Sequence, residues 1–209
     1  METKYLRINP DNPNGDDIEK VVRCLENGGI IIYPTDTVYG IGCDATNGKA
    51  LEKVARLKNI KLQDAKFAIV ASDLSNLADF AKVPTNIFKV MKKTLPGPFT
   101  FILNATNNVP KLFKNKKKTI GLRIPDNMIP REIVRQLGNP LVTTSVVNDD
   151  EILEYTTDPN MLFENFRGKV DIVIDGGYGN NIPSTILDCT SDEVELIREG
   201  LGNLDDYGV

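Results

Sequence analysis

The stretch Tyr33-Pro34-Thr35-Asp36-Thr37-Val38-Tyr39-Gly40-Ile41-Gly42-Cys43-Asp44 decides how the rest of the chain is read. It follows Ile30-Ile31-Ile32-Tyr33, a β-rich run closed by Pro34 that reads as a buried strand. The segment therefore leaves the end of a hydrophobic strand, where open α/β sheets place their ligands. Two threonine hydroxyls, a phenol and a carboxylate alternate along it, and two glycines allow close backbone approach. The simpler alternative is a polar turn in which Asp36 and Thr37 bond their own backbone. Two familiar nucleotide motifs come near and fail. Gly40-Ile41-Gly42 lacks the third glycine of a dinucleotide fingerprint. The run from Gly42 to Gly48-Lys49-Ala50 has one residue too many for a P-loop, and alanine where a hydroxyl should hold magnesium.

Outward from this segment, strands and helices interleave. Helical spacing marks Asp16 to Asn27, stopped by Gly28-Gly29, and Ala50 to Leu57. Helices are also expected at Asp73 to Ala81, at Thr85 to Lys93 opened by Pro84, at Pro130 to Leu137 and near Pro159 to Phe166. Strands are expected at Phe67 to Ala71, Phe99 to Leu103, Thr119 to Ile124, Leu141 to Thr144, Val170 to Ile174, Thr185 to Leu187 and Val194 to Ile197. The alternation is not strict and hairpins are expected near the C-terminus, so the class is α/β with a mixed, twisted sheet. With 209 residues, no repeat and no linker-like tract, one domain over 1–209 is expected, with Asp149 to Asp158 the only plausible hinge.

Composition narrows the chemistry. There is no histidine, which excludes His-dependent triads, H-E-x-x-H zinc sites and an imidazole base. Lys, Arg, carboxylates, hydroxyls and backbone amides remain, and they favour reactions driven by positioning and charge neutralisation, such as phosphoryl or nucleotidyl transfer. Cys24, Cys43 and Cys189 are odd in number and far apart, as expected of reduced thiols in a cytosol. No apolar run approaches the roughly eighteen residues of a membrane span, and the N-terminus has no apolar signal core, so a cytoplasmic protein with no membrane partner is expected. Net charge is −4, yet Ala81 to Pro125 contains no Asp or Glu and many lysines, among them Lys111, Lys114, Lys116, Lys117 and Lys118. That segment is either an electrostatic footprint for RNA or phosphate, or a solvated turn.

Six blocks in order resemble the YrdC/YciO family. They are Pro34 to Gly42, Pro96-Gly97-Pro98-Phe99-Thr100, Thr119 to Pro125 with its G-x-R-x-P pattern, Thr144-Ser145, Ser184-Thr185-Ile186-Leu187-Asp188, and Ile197-Arg198-Glu199-Gly200. Together they run from about Gly28 to Gly202. The resemblance implies a twisted open mixed β-sheet flanked by helices, YrdC/RibB-like, with a concave basic cavity and a core from about 14 to 202. It implies a threonylcarbamoyl-adenylate synthase homologue using threonine, bicarbonate and ATP with Mg2+, acting in tRNA adenosine modification, with a tRNA-modifying transferase complex as a further partner. By the same resemblance Thr35, Thr37, Tyr39 and Thr100 would line the threonine and bicarbonate pocket. Lys58 and Arg123 would be catalytic, and Lys58, Ser145, Asn148, Ser184, Thr185 and Arg198 would bind nucleotide.

Each assignment has a plainer alternative: Lys58 as a helix-end cation, Arg123 as a salt-bridge partner, Thr100 as an ordinary strand residue. Two positions depart from the catalytic pattern. Lys58-Asn59-Ile60-Lys61 stands where K-x-R is usual, and Ser145-Val146-Val147-Asn148 where S-x-N is usual. Isoleucine cannot replace a bidentate phosphate contact. Both departures resemble the YciO branch more than the YrdC branch. Two classes of function stay open: an adenylate-forming enzyme, and a non-catalytic protein that binds double-stranded RNA, tRNA or the ribosome and retains the cavity.

Overall fold

The computed structural model describes residues 2–65, 67–75, 77–107, 118–146 and 157–208. The elements in order are β1 (Lys4–Arg7), α1 (Gly15–Glu26), β2 (Ile31–Tyr33), β3 (Gly40–Asp44), α2 (Gly48–Leu57), β4 (Ala68–Val70), α3 (Leu77–Phe80), β5 (Ala81–Lys82), α4 (Thr85–Thr94), β6 (Phe99–Ala105), β7 (Thr119–Arg123), α5 (Met128–Leu137), β8 (Leu141–Ser145), α6 (Pro159–Phe166), β9 (Ile172–Asp175), β10 (Thr185–Asp188) and β11 (Glu195–Arg198). The helices form where the sequence repeats apolar residues at helical spacing. In α1, Ile18, Val21, Val22 and Leu25 are all buried, and the Asn14 side chain accepts from Asp16 N to cap the first turn.

Among the described residues the strands form one open mixed sheet, ordered β1-β9-β2-β3-β8-β4-β7-β6-β10-β11, with β5 pairing β6. β9 joins β1 and β2 in parallel, β4 runs parallel to β7 and β6 to β10, and the remaining neighbours are antiparallel. Because successive strand residues point to opposite faces, the register sorts the core into layers. On one face Ile31, Tyr33, Leu141 and Val70 pack under α1 and α5. On the other, Ile32, Ile41, Cys43 and Val142 pack under α2 and α6, while Ile69, Phe99, Phe101 and Leu122 pack under α4. Among the described residues no helix covers the first face where it reaches Thr100, Ile102, Gly121 and Ile186, which remain half-buried. That open floor positions the site.

Several elements differ from the sequence reading, the two-residue strand β5 among them. Gly40–Asp44 is not a turn but the central strand β3, hairpinned to β2 and paired with β8. A short strand, β1, forms at Lys4–Arg7, where no element is expected, by adding in parallel to β9. The helix expected at Asp73 to Ala81 is reduced to the single turn α3, because Asp73 Oδ1 accepts from Ser75 N at 2.7 Å and closes a local turn instead. The expected hairpin near the C-terminus is β10–β11. No helix among the described residues is long and apolar enough to cross a membrane.

Candidate functional site

Between β2 and β3 the chain turns through Pro34 to Val38. Thr35 Oγ1 donates to Val38 O at 2.7 Å and accepts from Thr37 N at 3.0 Å, so the turn is closed by its own side chain. Into it comes Arg123, the last residue of β7. Its Nη2 donates to Thr37 Oγ1 at 2.6 Å, to Asp36 Oδ1 at 2.5 Å and more weakly to Thr35 Oγ1 at 3.2 Å. The Arg123 and Asp36 side chains are 8% and 11% exposed, so the pair is largely withdrawn from water. The plainer role of Arg123, a salt-bridge partner, is thus present, whereas the turn is closed by the Thr35 side chain and not by Asp36 and Thr37, which meet Arg123 instead.

The pairing is nevertheless incomplete. A guanidinium and a carboxylate commonly meet fork to fork through two parallel bonds. Here a single nitrogen serves all three acceptors, and Asp36 Oδ2 and Arg123 Nε are buried with no hydrogen-bond partner. Leaving a buried polar group unmatched costs about 1–3 kcal/mol, more for charged groups, so each orphan calls for an explanation. A bound polar ligand supplying an acceptor to Nε and a donor or cation to Oδ2 would provide one.

The register carries the site across the sheet. Phe101 faces Leu122 in the β6–β7 pair, so Thr100 and Arg123 share the uncovered face. The Thr100 and Ser184 hydroxyls lie 2.8 Å apart, and Arg198 Nη2 donates to Ser184 O at 2.8 Å. On the other side Lys58, the C-cap of α2, donates from Nζ to Ser145 O at 3.0 Å, and Ser145 pairs with Gly40. Lys58, Arg123 and Arg198 are thus each tied by a hydrogen bond to a neighbouring element of this region. Ile60, two residues beyond Lys58, is 40% exposed.

Two sequence candidates point elsewhere. Tyr39 is fully buried in the layer beneath α2, and its hydroxyl donates to Gly177 O at 2.7 Å and accepts from Gly176 N at 3.2 Å. Burial pushes its phenol far above the ordinary range. Thr185 faces away from Thr100: its hydroxyl donates to Gly202 O at 2.5 Å and accepts from Gly200 N at 3.0 Å. Both pin loops, and neither hydroxyl is available to a ligand in this arrangement. Asn148, Lys111, Lys114, Lys116 and Lys117 lie outside the described residues, as does most of the expected hinge. Lys118 is exposed at the start of β7, with φ +54°.

Sequence reasoning passed over Asp36 as a ligand-facing group and missed the connection between β9 and β10. Asn180 N in that connection donates to Thr37 O at 3.1 Å, which fastens it to the signature turn. A local signal for Asp36 existed in its place between two threonines, but its partner stands 87 residues away. A separate cleft between the end of α1 and the start of α2 is lined by Glu26, Asp44, Thr46, Asn47, Gly48, Lys49 and Glu52, and holds none of the candidate ligands.

Comparison with known proteins gives concordant matches. The family model Sua5_yciO_yrdC, which carries the description "Telomere recombination", matches residues 23–200. A Haemophilus influenzae protein is 36% identical over 204 residues, 96% of this chain and 97% of its own. YciO of Escherichia coli is 35% identical over 204 residues, 97% of this chain and 98% of its own, and its crystal structure superposes with a TM-score of 0.90 at 33% identity over 98% of this chain and 99% of that one. A variant of P. abyssi Sua5 superposes at 0.85 with 25% identity, over 97% of this chain and 62% of that one. P. abyssi Sua5 has also been solved in complex with L-threonine, at a TM-score of 0.85, 24% identity and coverage of 95% and 58%.

Proposed function

The chain belongs to the Sua5/YciO/YrdC family, and on that footing we propose that it is an enzyme of the threonylcarbamoyl-adenylate synthase type, supplying an activated threonine carbamate for tRNA adenosine modification. The observation that carries this reading is the half-satisfied Arg123–Asp36 pair at the edge of a sheet face that no described helix covers, bordered by Lys58 and Arg198. The L-threonine complex of P. abyssi Sua5 supports threonine as the amino acid.

The reaction asks little of acid–base chemistry. The threonine amine adds to the carbon of bicarbonate and water leaves, giving a carbamate. A carbamate oxygen then attacks the α-phosphorus of ATP and pyrophosphate departs. Both partners are anions, so the protein must hold like charges together and neutralise what builds on the pentavalent phosphorus. Arg123, already fixed by Thr35, Asp36 and Thr37, needs no reorganisation to do so. Its free Nε suits a carboxylate or phosphate oxygen. Lys58 and Arg198 would meet the triphosphate, and Thr100 with Ser184 would offer hydroxyls to the substrates.

Magnesium fits as a companion of the triphosphate. No group of three His, Cys, Asp or Glu side chains gathers among the described residues, and magnesium is commonly held by one or two carboxylates plus substrate phosphates. Asp36, with one buried oxygen unpartnered, is the carboxylate for that purpose, and the ion would neutralise phosphate charge.

A second reading rests on Ile60. It stands exposed where catalytic relatives would carry an arginine, which favours a protein that keeps the fold for RNA binding and has lost the chemistry. One assay separates the two: pyrophosphate release from ATP with threonine, bicarbonate and magnesium, the adenylate identified by mass. Threonine-dependent turnover that falls by at least about a hundredfold in Arg123→Ala is expected, the usual scale for removing one transition-state donor. Folded protein that binds ATP and releases no pyrophosphate would rule out the threonine-dependent synthase and leave a different substrate or RNA binding alone.

A further inference from the structure

Between β9 and β10 the chain reads Gly176-Gly177-Tyr178-Gly179-Asn180-Asn181-Ile182-Pro183. It runs from the signature turn to Ser184, and so borders the site along one side. Its backbone is held at nearly every step. Gly176 N donates to Tyr39 Oη and Gly177 N to Asp175 Oδ1, and Gly177 O accepts from Tyr39 Oη. Gly179 N donates to Thr157 O, Asn180 N to Thr37 O, and Ile182 N to Asn180 Oδ1. The glycines are required by this seating: a Cβ on Gly176 would lie 2.6 Å from Pro34 Cγ, one on Gly179 would lie 2.7 Å from the Tyr39 ring, and Gly177 has φ +92°.

From this fixed mount Tyr178 stands 81% exposed, the most exposed large hydrophobic side chain among the described residues. Such a ring adds nothing to the core, yet its position is set by a loop that one hydrogen bond joins to Thr37, itself bonded to Arg123. We propose that Tyr178 is the stacking platform for the nucleobase of the nucleotide whose phosphates Lys58, Arg123 and Arg198 receive. This rests on the nucleotide reading above and adds to it the group that holds the base. A base needs one π-face, and every base has one, so a single aromatic residue suffices. A docked protein would instead need a contiguous apolar patch of several hundred Å2, whereas the residues flanking Tyr178 in the chain, Gly177, Gly179, Asn180 and Asn181, add no apolar side chain, and Ile182 is the other exposed large apolar residue of the connection. The ring has few rotatable bonds and the loop is already ordered, so little freedom is lost on stacking.

The chain contains no tryptophan, so Tyr178→Trp gives a fluorophore reporting from this position alone. Magnesium ATP is expected to quench it saturably and magnesium tripolyphosphate, which has no base, to leave it unchanged. By calorimetry Tyr178→Ala is expected to bind ATP about tenfold more weakly, with Tyr178→Phe near the parent. Unchanged ATP affinity in Tyr178→Ala, together with unquenched indole fluorescence from Tyr178→Trp protein that binds ATP, would overturn the stacking role and leave the nucleotide reading standing. Absence of ATP binding in the parent itself would overturn both. Quenching by an oligoribonucleotide but not by ATP would overturn the assignment and give the ring to RNA.

Discussion

At the scale of single residues the site turns on one guanidinium. Arg123 stood out as a candidate from the G-x-R-x-P run, but nothing in the spacing could show that its partner is Asp36, because the sheet brings together residues 87 apart. Nor could the sequence show that the pairing would leave Asp36 Oδ2 and Arg123 Nε unmatched. Removing one member of a buried pair leaves the other charged and undersolvated, which costs about 3–5 kcal/mol. Arg123→Ala is therefore expected to lose stability on that scale in urea titrations, besides losing any activity, while Arg123→Ala/Asp36→Ala recovers much of it. A single mutant as stable as the parent would mean that water already reaches the pair. Tyr39 and Thr185 teach the converse. A motif identifies the residue but not the face its side chain takes, and both hydroxyls are engaged in holding loops.

At the scale of elements, the long helices were readable because burial imposes a 3.6-residue period, and α1, α2, α4 and α5 fall within a few residues of expectation. β3 was not readable, because two of its five residues are glycines, which strands disfavour. The structure supplies the reason for them. A Cβ on Gly42 would stand 2.5 Å from Val142 O and 2.9 Å from Tyr33 Cε1, against a backbone atom and a fully buried ring. The glycines let the Tyr33 ring lie across β3 and donate to Thr143 Oγ1 at 2.6 Å. Gly42→Ala must force β3 and β8 apart and is expected to destabilise by about 1–3 kcal/mol, as overpacked cores do. Gly15→Ala is the control: it opens α1, meets nothing within 4 Å, and is expected to be neutral or to stabilise by about 0.4–1 kcal/mol. Equal melting temperatures for the two variants would refute this account of β3.

At the scale of the molecule, the core falls into three clusters on the two faces of the sheet, and each buries a group that would rather be ionised at high pH. Burial pushes Tyr33 in the α1–α5 layer up to about 12, Cys43 beneath α2 to about 12 and Cys189 beneath α4 to about 12. In the unfolded chain the thiols ionise near 9 and the phenol near 10. Above those values the unfolded state binds fewer protons than the folded one, so stability must fall as pH rises, by about 1.4 kcal/mol per pH unit for each group ionised only in the unfolded chain. Unfolding free energy should therefore show no loss from these groups below about pH 9, decline between 9 and 10 as the thiols act, and decline more steeply above 10 when Tyr33 joins. The loss from each group ends once pH passes its folded value. Tyr33→Phe removes the ionising phenol while leaving the ring in place. It should start from lower stability, because Thr143 Oγ1 loses its donor, yet lose less between pH 10 and 12 than the parent does. Parallel declines for the two proteins would show that the α1–α5 cluster opens before the phenol ionises, and would place the alkaline weak point in the clusters that hold the thiols.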